Sequence, residues 1–354
     1  MKTHAIIPIF IPHAGCPHDC VFCNQKAITA RTAPPTPAEA VNTIERNLAT
    51  IKENPHITTV EIAFFGGSFT GIPMDEQTAY LEIAKSYKDR GLIHQIHLST
   101  RPDYINEEIL DNLRLHSVDV IELGVQSFDP EVLRRSNRGH SAEVVHKSAQ
   151  MIKDRGFTLG IQLMIGLPGD SHEKCMYSVA ETLKIGPSIA RIYPTVVIKD
   201  TALERMCFLG TYDPLKEDDA IYTAKEMYKA LTDAGINVIR VGLKSTDIIR
   251  SEDGAVGAGS YHPAFRQLVE AEIAKESLEA QLAQIPMPLT MPPPDIYVTF
   301  YSHPESFSNM IGNKRSNKIY FSEKYPHLKI KFAVDPELTP GTYIAKHIKT
   351  ELKR

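Results

Sequence analysis

The stretch Ile6-Ile-Pro-Ile-Phe-Ile11, followed through Pro12-His-Ala-Gly by Cys16-Pro-His-Asp-Cys20-Val-Phe-Cys23, decides how the rest of the chain is read. An apolar run of strand character delivers the backbone into a loop that holds three of the five cysteines, spaced C-x-x-x-C-x-x-C. Three thiolates on one short loop can ligate three irons of a 4Fe–4S cube and leave the fourth iron open to a small molecule that is to be reduced. The same thiolates with His13 or His18 could instead hold zinc. Zinc knuckles usually pair two separated C-x-x-C units, and the sequence has no second unit. Phe22 beside the last cysteine suits a loop that shields a cluster from water. The other cysteines, Cys175 and Cys207, are too scattered for a disulfide framework.

Size and composition bound what surrounds this loop. At 354 residues, 42% hydrophobic and 23% charged, the chain can bury a large core without covalent staples. No run of about 18 apolar residues is present, so no membrane span is expected. The first ten residues are too short an apolar run, and too broken by proline, for a signal peptide. A reduced, cytoplasmic setting is expected, which free thiolate ligands require. The net charge of −4 argues against a protein that coats nucleic acid non-specifically, though not against a local basic patch.

Outward from the cysteine loop, the pattern alternates. Strand character over 6–11, 59–65, 93–100, 118–125, 158–165 and 190–197 alternates with helical spacing over 37–54, 75–89, 106–115, 141–155, 173–183 and 218–234. Pro37 suits the first turn of its helix and Asn106 suits an N-cap. Six strand–helix repeats predict an α/β fold, a partial (β/α)6 barrel with a parallel sheet. In such barrels the reacting groups gather at the C-terminal ends of the strands. The unusual motifs fall there: the cysteine loop, Gly66-Gly67, Ser99 to Asp103, Gly124 to Ser127 and Gly166 to Gly169. Residues 1–240 are therefore read as the barrel and 241–354 as a small α+β module on the substrate side. That module begins with a further strand at 238–242 and a Gly-rich loop at 252–262. A helix over 263–285 and a linker with five prolines at 286–294 precede strands at 295–301 and 329–334.

Two further features carry chemical meaning. Phe65-Gly66-Gly67-Ser68-Phe69-Thr70-Gly71 follows a strand, and its glycines would let a ligand approach the backbone. A tight strand-to-helix turn explains it as well. One strand from the cysteines, it fits a site for the amino group of a ligand chelated by the open iron. The tail 312–354 carries ten Lys or Arg against four Asp or Glu, a balance of +6, with Tyr320, Phe321, Tyr325 and Phe332 interleaved. That is either a nucleic-acid footprint or a solvated surface over a small aromatic core.

With these residues in hand, the chain resembles the radical S-adenosylmethionine (SAM) enzymes over about residues 6–240. It is similar above all to the radical-SAM domain of the Elongator catalytic subunit, which modifies wobble uridines of tRNA. The similarity rests on Glu122-Leu-Gly-Val-Gln126-Ser-Phe, Leu133-Arg-Arg-Ser-Asn-Arg138-Gly-His140, Ser99-Thr-Arg-Pro-Asp-Tyr104 and Ile192-Tyr-Pro-Thr-Val-Val-Ile198. Oxygen-independent coproporphyrinogen oxidases share the cysteine spacing, the Gly-Val-Gln turn and the Gly166-Leu-Pro turn.

The resemblance implies that Cys16, Cys20 and Cys23 ligate a 4Fe–4S cluster. It implies that Gly66, Gly67 and Ser68 meet the SAM amino end, that Ser99 is a polar SAM contact, and that Gln126, Arg138 and Gln162 contact the rest of the cofactor. It further implies a one-electron donor of flavodoxin or ferredoxin type. The radical made from SAM would take a hydrogen atom from a substrate at the barrel mouth. Tyr193, Lys199, Tyr261 and His262 are the candidates for the substrate side. The Elongator subunit has a basic N-terminal extension and an acetyltransferase domain, neither of which is expected here, so an acetyl transfer is not implied. RNA, a small or porphyrin-like molecule, and a non-catalytic metal or haem carrier stand as the three functional readings.

Overall fold

The computed structural model describes residues 3–11, 20–24, 33–243, 256–259, 261–285 and 296–348. Cys16, His13, His18 and the proline-rich stretch 286–294 lie outside the described residues. The chain divides into two compact units, Met1–Tyr261 and His262–Arg354, where the sequence places the boundary at 240.

The first unit is built on one open sheet of seven parallel strands. These are β1 (His4–Ile11), β2 (Thr59–Gly66), β3 (Gln95–Thr100), β4 (Val120–Gln126), β5 (Thr158–Ile165) and β6 (Ile189–Pro194), in chain order, and then β8 (Asn237–Val241) beside β6. The pattern predicts six strands in the barrel; the seventh is the run placed in the C-terminal module, and Ala190 pairs with its Val238. The expected strand 190–197 breaks after Pro194. Its second half, β7 (Val196–Ile198), pairs antiparallel with β9 (Val256–Gly259). β9 lies in the stretch read as a Gly-rich loop, because Val-Gly-Ala-Gly offers no apolar alternation to mark a strand.

Helices link the strands: α1 (Pro37–Lys52), α2 (Met74–Asp89), α3 (Glu107–Leu115), α4 (Pro130–Arg135), α5 (Ala142–Asp154), α6 (His172–Ile185), α7 (Ala202–Phe208) and α8 (Glu217–Asp233). Local chemistry sets their ends. Thr36 and Glu39 form a reciprocal capping box at α1, with Pro37 in its first turn. Asn106 accepts from Ile109 N at α3. α4 and α7 are one to two turns long, too short for periodicity to reveal them, and are started by Asp129 and Thr201. Every residue of β4 is buried, as expected of a central strand in a parallel sheet. Among the described residues no helix is long and apolar enough to cross a membrane.

The second unit contains α9 (Phe265–Leu282), α10 (Phe307–Ile311), α11 (Ser316–Lys324) and a three-stranded sheet. Its central strand β10 (Ile296–Ser302) pairs parallel with β11 (Leu328–Val334) and antiparallel with β12 (Tyr343–Ile348). Leu278, Val298, Phe300, Met310 and Phe321 form its core. The interleaved aromatics of the tail belong to this core: Phe321 is fully buried, and Tyr320, Tyr325 and Phe332 pack against it. Tyr320 and Tyr325 donate their hydroxyls to Glu279 at 2.7 and 2.9 Å. These four rings are thus structural, as the reading of the tail as a solvated surface over a small aromatic core expects.

Candidate active site

The described end of the cysteine loop is a tight turn in which Cys23 N donates to Cys20 O at 3.0 Å, placing both cysteines on one bend. The turn is clamped from both sides: Val21 N donates to Ser136 O, and Leu203 N donates to Val21 O. Val21 and Phe22 pack against Val197, Leu203 and Tyr212. Cys20 is buried and faces two guanidinium groups. Arg138 Nη1 is 3.2 Å and Arg101 Nη1 4.0 Å from its sulfur. Arg101 is itself held by both oxygens of Asp103 at 2.9 Å and donates to Arg138 O. Arg138 also donates to Gly124 O. Beside it, His140 is held neutral: burial, then the charges of Arg138 and Arg101, depress its pKa to about 3.

Gly66 and Gly67 close the C-terminal end of β2 onto β1. Gly67 N donates to Ile11 O at 2.7 Å, and Gly66 sits at φ +114°. A Cβ on Gly66 would come within 2.7 Å of Ile11 O, so only glycine fits. The following turn is fixed from behind by Thr70, which bonds Thr100 Oγ1 at 2.6 Å and Tyr104 O at 2.9 Å. Ser68 is buried in that turn.

Gln126 ends β4 at φ +71°, after a register shift between Gly124 and Gln126. A bulge at this position re-aims a side chain that regular pairing would point elsewhere. Gln126 Oε1 is buried and has no partner among the described residues. A cavity of about 180 Å³ opens at these strand ends, and Phe22, Cys23, Gln126, Gln162, Met164 and Tyr193 are among the residues that line it.

Below the cavity runs a buried charged row that the sequence reading did not single out. His97 lies 3.5 Å from Glu61 Oε1 and 3.7 Å from Glu122 Oε1; Glu122 Oε2 accepts from Arg191 Nε at 2.5 Å. Glu122 Oε1 also accepts from Gln162 Nε2 at 2.8 Å and from Ser99 Oγ at 3.2 Å. Burial opposes charge on both His97 and Glu122, yet their mutual attraction, with Arg191 and Glu61, outweighs it. His97 is raised to about 9 and Glu122 lowered to about 2. The available signal was an acid, a histidine and an arginine at inward positions of strands that are otherwise apolar. Arg101 lies within the Ser99–Tyr104 run, where sequence alone gives it no role.

The expected residues thus divide. Cys20, Cys23, Gly66, Gly67, Gln126 and Arg138 surround the strand ends, while Ser99 and Gln162 meet on Glu122. Tyr193 stands in the cavity wall, 3.4 Å from Arg191 Nη1. Lys199 has an exposed side chain, and its carbonyl accepts from Asn24 Nδ2 at 3.2 Å, an anchor for the loop. His262 accepts from Ala264 N at the start of α9. Tyr261 bears a buried hydroxyl with no partner among the described residues.

The profile of the radical SAM superfamily matches residues 10–179, and that of the radical SAM C-terminal domain matches residues 187–275. The chain belongs to the radical SAM superfamily. It is an enzyme of that class, related to tRNA-modifying enzymes of the Elongator type. A tRNA uridine(34) acetyltransferase of Methanocaldococcus infernus is 28% identical over 255 residues, 61% of this chain and 48% of that protein. Elongator complex protein 3 of Dictyostelium discoideum is 28% identical over 187 residues, 47% of this chain and 33% of that protein. The chain therefore spans about half or less of the length of these two relatives. The solved structure of M. infernus Elp3 lacking residues 1–46 superposes with a TM-score of 0.61 at 21% identity, covering 78% of this chain and 64% of the other, which shows the shared partial-barrel fold.

Membership in the superfamily implies a 4Fe–4S cluster and SAM. The residues fit both groups: two cysteines on one turn beside paired guanidiniums, and an orphaned amide oxygen at the cavity.

Proposed function

We propose that Cys16, Cys20 and Cys23 hold a 4Fe–4S cluster and that SAM binds across Gly66, Gly67, Ser68, Gln126 and Arg138. Ser99 and Gln162 form the floor beneath it, and the enzyme takes a hydrogen atom from an RNA of the tRNA class. The observation that carries this reading is the cavity at the strand ends, where Cys23 shares a wall with Gln126, Gln162 and Tyr193. When bound, the cluster and SAM supply one-electron cleavage of the sulfonium and hence a carbon radical strong enough to take that hydrogen.

The protein's own contribution is to bind, orient and exclude water. Arg138 and Arg101 set their guanidiniums against the Cys20 sulfur and so orient it. The Gly66-Gly67 backbone allows close approach, and Gln126 Oε1 offers an acceptor to a donor group of the ligand. Met164, Val196 and Ile198 give the cavity an apolar wall, so a reactive intermediate there is shielded from solvent. Tyr193 is the substrate-side candidate in the wall. Lys199, with its exposed side chain, and His262, which accepts from Ala264 N, are the further candidates. The electron comes from a flavodoxin- or ferredoxin-type donor.

RNA as substrate is supported by the 28% identity to a tRNA uridine(34) acetyltransferase. The test is to incubate the reconstituted, reduced protein with SAM and unmodified tRNA transcripts and to follow 5′-deoxyadenosine. Formation that rises with tRNA and vanishes in Cys20→Ala supports the reading. Formation that tRNA leaves unchanged counts against RNA as substrate.

A further inference from the structure

The sheet of the second unit has two unlike faces. Ile296, Val298 and Phe300 of β10, with Leu328, Ile330 and Phe332 of β11, point into the core. Alternation puts Tyr297, Thr299 and Tyr301 on the other face. The register sets Lys329 and Lys331 of β11 beside Tyr297 and Thr299, and Lys346 of β12 on the other side of Thr299. Tyr297 is 44% exposed, and Lys329, Lys331 and Lys346 are exposed. The Lys346 ammonium lies 4.9 Å over the Tyr301 ring. At the β11 edge, Lys318 and Ser322 of α11 join Tyr297, Lys329 and Lys331 around a depression of about 420 Å³. No Asp or Glu stands on this face at any described strand position.

We propose that this face binds a single-stranded segment of RNA, with Tyr297 and Tyr301 stacking on bases and the lysines meeting phosphates. The proposal rests on the reading that RNA is the substrate and adds where the RNA is held. Two ring-bearing residues at i and i+4 of one strand lie about 13 Å apart on a rigid sheet. Flat aromatic platforms of this kind take unpaired bases of any sequence, because every base has a π-face. The ammonium groups that flank the tyrosines at the described strand positions complement a polyanion. The central strand presents Tyr297 and Tyr301 on this face with Thr299 buried between them, and the register sets Ala333 and Ile344 beside Tyr301.

The experiment uses the full chain with two probes, a labelled 12-nucleotide single-stranded RNA and an unmodified tRNA transcript, titrated at several salt concentrations. Lys329→Gln, Lys331→Gln and Lys346→Gln combined should lower the slope of log affinity against log salt by about 2, at about 0.7 for each phosphate no longer neutralised. Tyr297→Ala should weaken binding about tenfold and Tyr297→Phe should leave it unchanged, since stacking needs the ring and not the hydroxyl. Unfolding midpoints of these surface variants should match the wild type. If the wild type binds RNA and the variants bind it with the same affinity and slope, this face is not the interface, while RNA as substrate stands. If the wild type binds neither probe, both fall. Displacement of the RNA by a glutamate homopolymer as effectively as by competing RNA would assign the face to acidic polymers at large and overturn base stacking.

Discussion

Replacing Glu122 by glutamine tests the charged row beneath the cavity. Glu122 is fully buried and receives Arg191 at 2.5 Å, Gln162 at 2.8 Å and Ser99 at 3.2 Å, with His97 at 3.7 Å. Removing one partner of a buried pair leaves the other charge uncompensated and typically costs about 3–5 kcal/mol. Glutamine keeps the shape and one acceptor oxygen, so the low end, about 3 kcal/mol, is expected. For units of roughly 150–250 residues each kcal/mol moves the midpoint by about 2–4 °C, so the Tm of Glu122→Gln should fall by about 6–12 °C. Circular dichroism melts of the full-length apoprotein read this directly. Glu122→Leu combined with Arg191→Met removes both charges, and should recover most of the loss, since well-packed apolar groups replace buried pairs at little cost. A shift below about 2 °C in Glu122→Gln, or a double variant whose losses simply add, would refute the idea that the row is a coupled buried ion network.

Further expectations follow from the same geometry. His97, raised from 6.5 to about 9, contributes stability that is complete below pH 6.5 and disappears as pH rises through 9. Glu122, lowered from 4.5 to about 2, contributes stability that is complete above pH 4.5 and disappears as pH falls through 2. His140, held at about 3 against its ordinary 6.5, works the other way, and its contribution is complete above pH 6.5 and is lost as pH falls toward 3. Urea denaturation of the apoprotein should therefore show its maximum near pH 6.5, and a stability that stays level from 6.5 to 9 contradicts the His97 assignment. Gly66→Ala places a Cβ 2.7 Å from Ile11 O at φ +114° and should weaken SAM binding more than tenfold while iron content after reconstitution stays at the wild-type level. Equilibrium binding of SAM to the loaded protein checks it, and unchanged affinity would remove Gly66 from the site. Gly160 leaves room for the buried acid, because a Cβ there would meet Glu122 Cγ at 2.5 Å. Gly160→Ala should cost about 1–3 kcal/mol in a urea titration, the usual range for overpacking a core; a neutral result would show that Glu122 can move aside.

The alternation of strands and helices was legible in the sequence because each β-rich run of the sheet is followed by an amphipathic helix. β5 begins and ends at the residues its hydrophobic pattern gives, Thr158 and Ile165. What stayed hidden depends on tertiary context. β8 joins the sheet only because β6 offers it an edge, and β9 only because β7 does. α4 and α7 are too short to show a period, though they clamp the cysteine turn from either side. At the site, the cysteine spacing and the glycines announce themselves, since few other structures require them. The left-handed backbone of Gln126 and the buried row from Glu61 to Arg191 do not, because their meaning lies in strand register, which local pattern leaves open.

The most direct test of the central claim is spectroscopic. The protein is reconstituted anaerobically with iron and sulfide and reduced, and its electron paramagnetic resonance spectrum is recorded before and after SAM is added. The account predicts close to four irons and four sulfides per chain and a reduced-cluster signal that changes shape on adding SAM. Cys20→Ala and Cys23→Ala should each lose that signal. A colourless protein that retains zinc and takes up no iron, or a cluster signal indifferent to SAM, would contradict it.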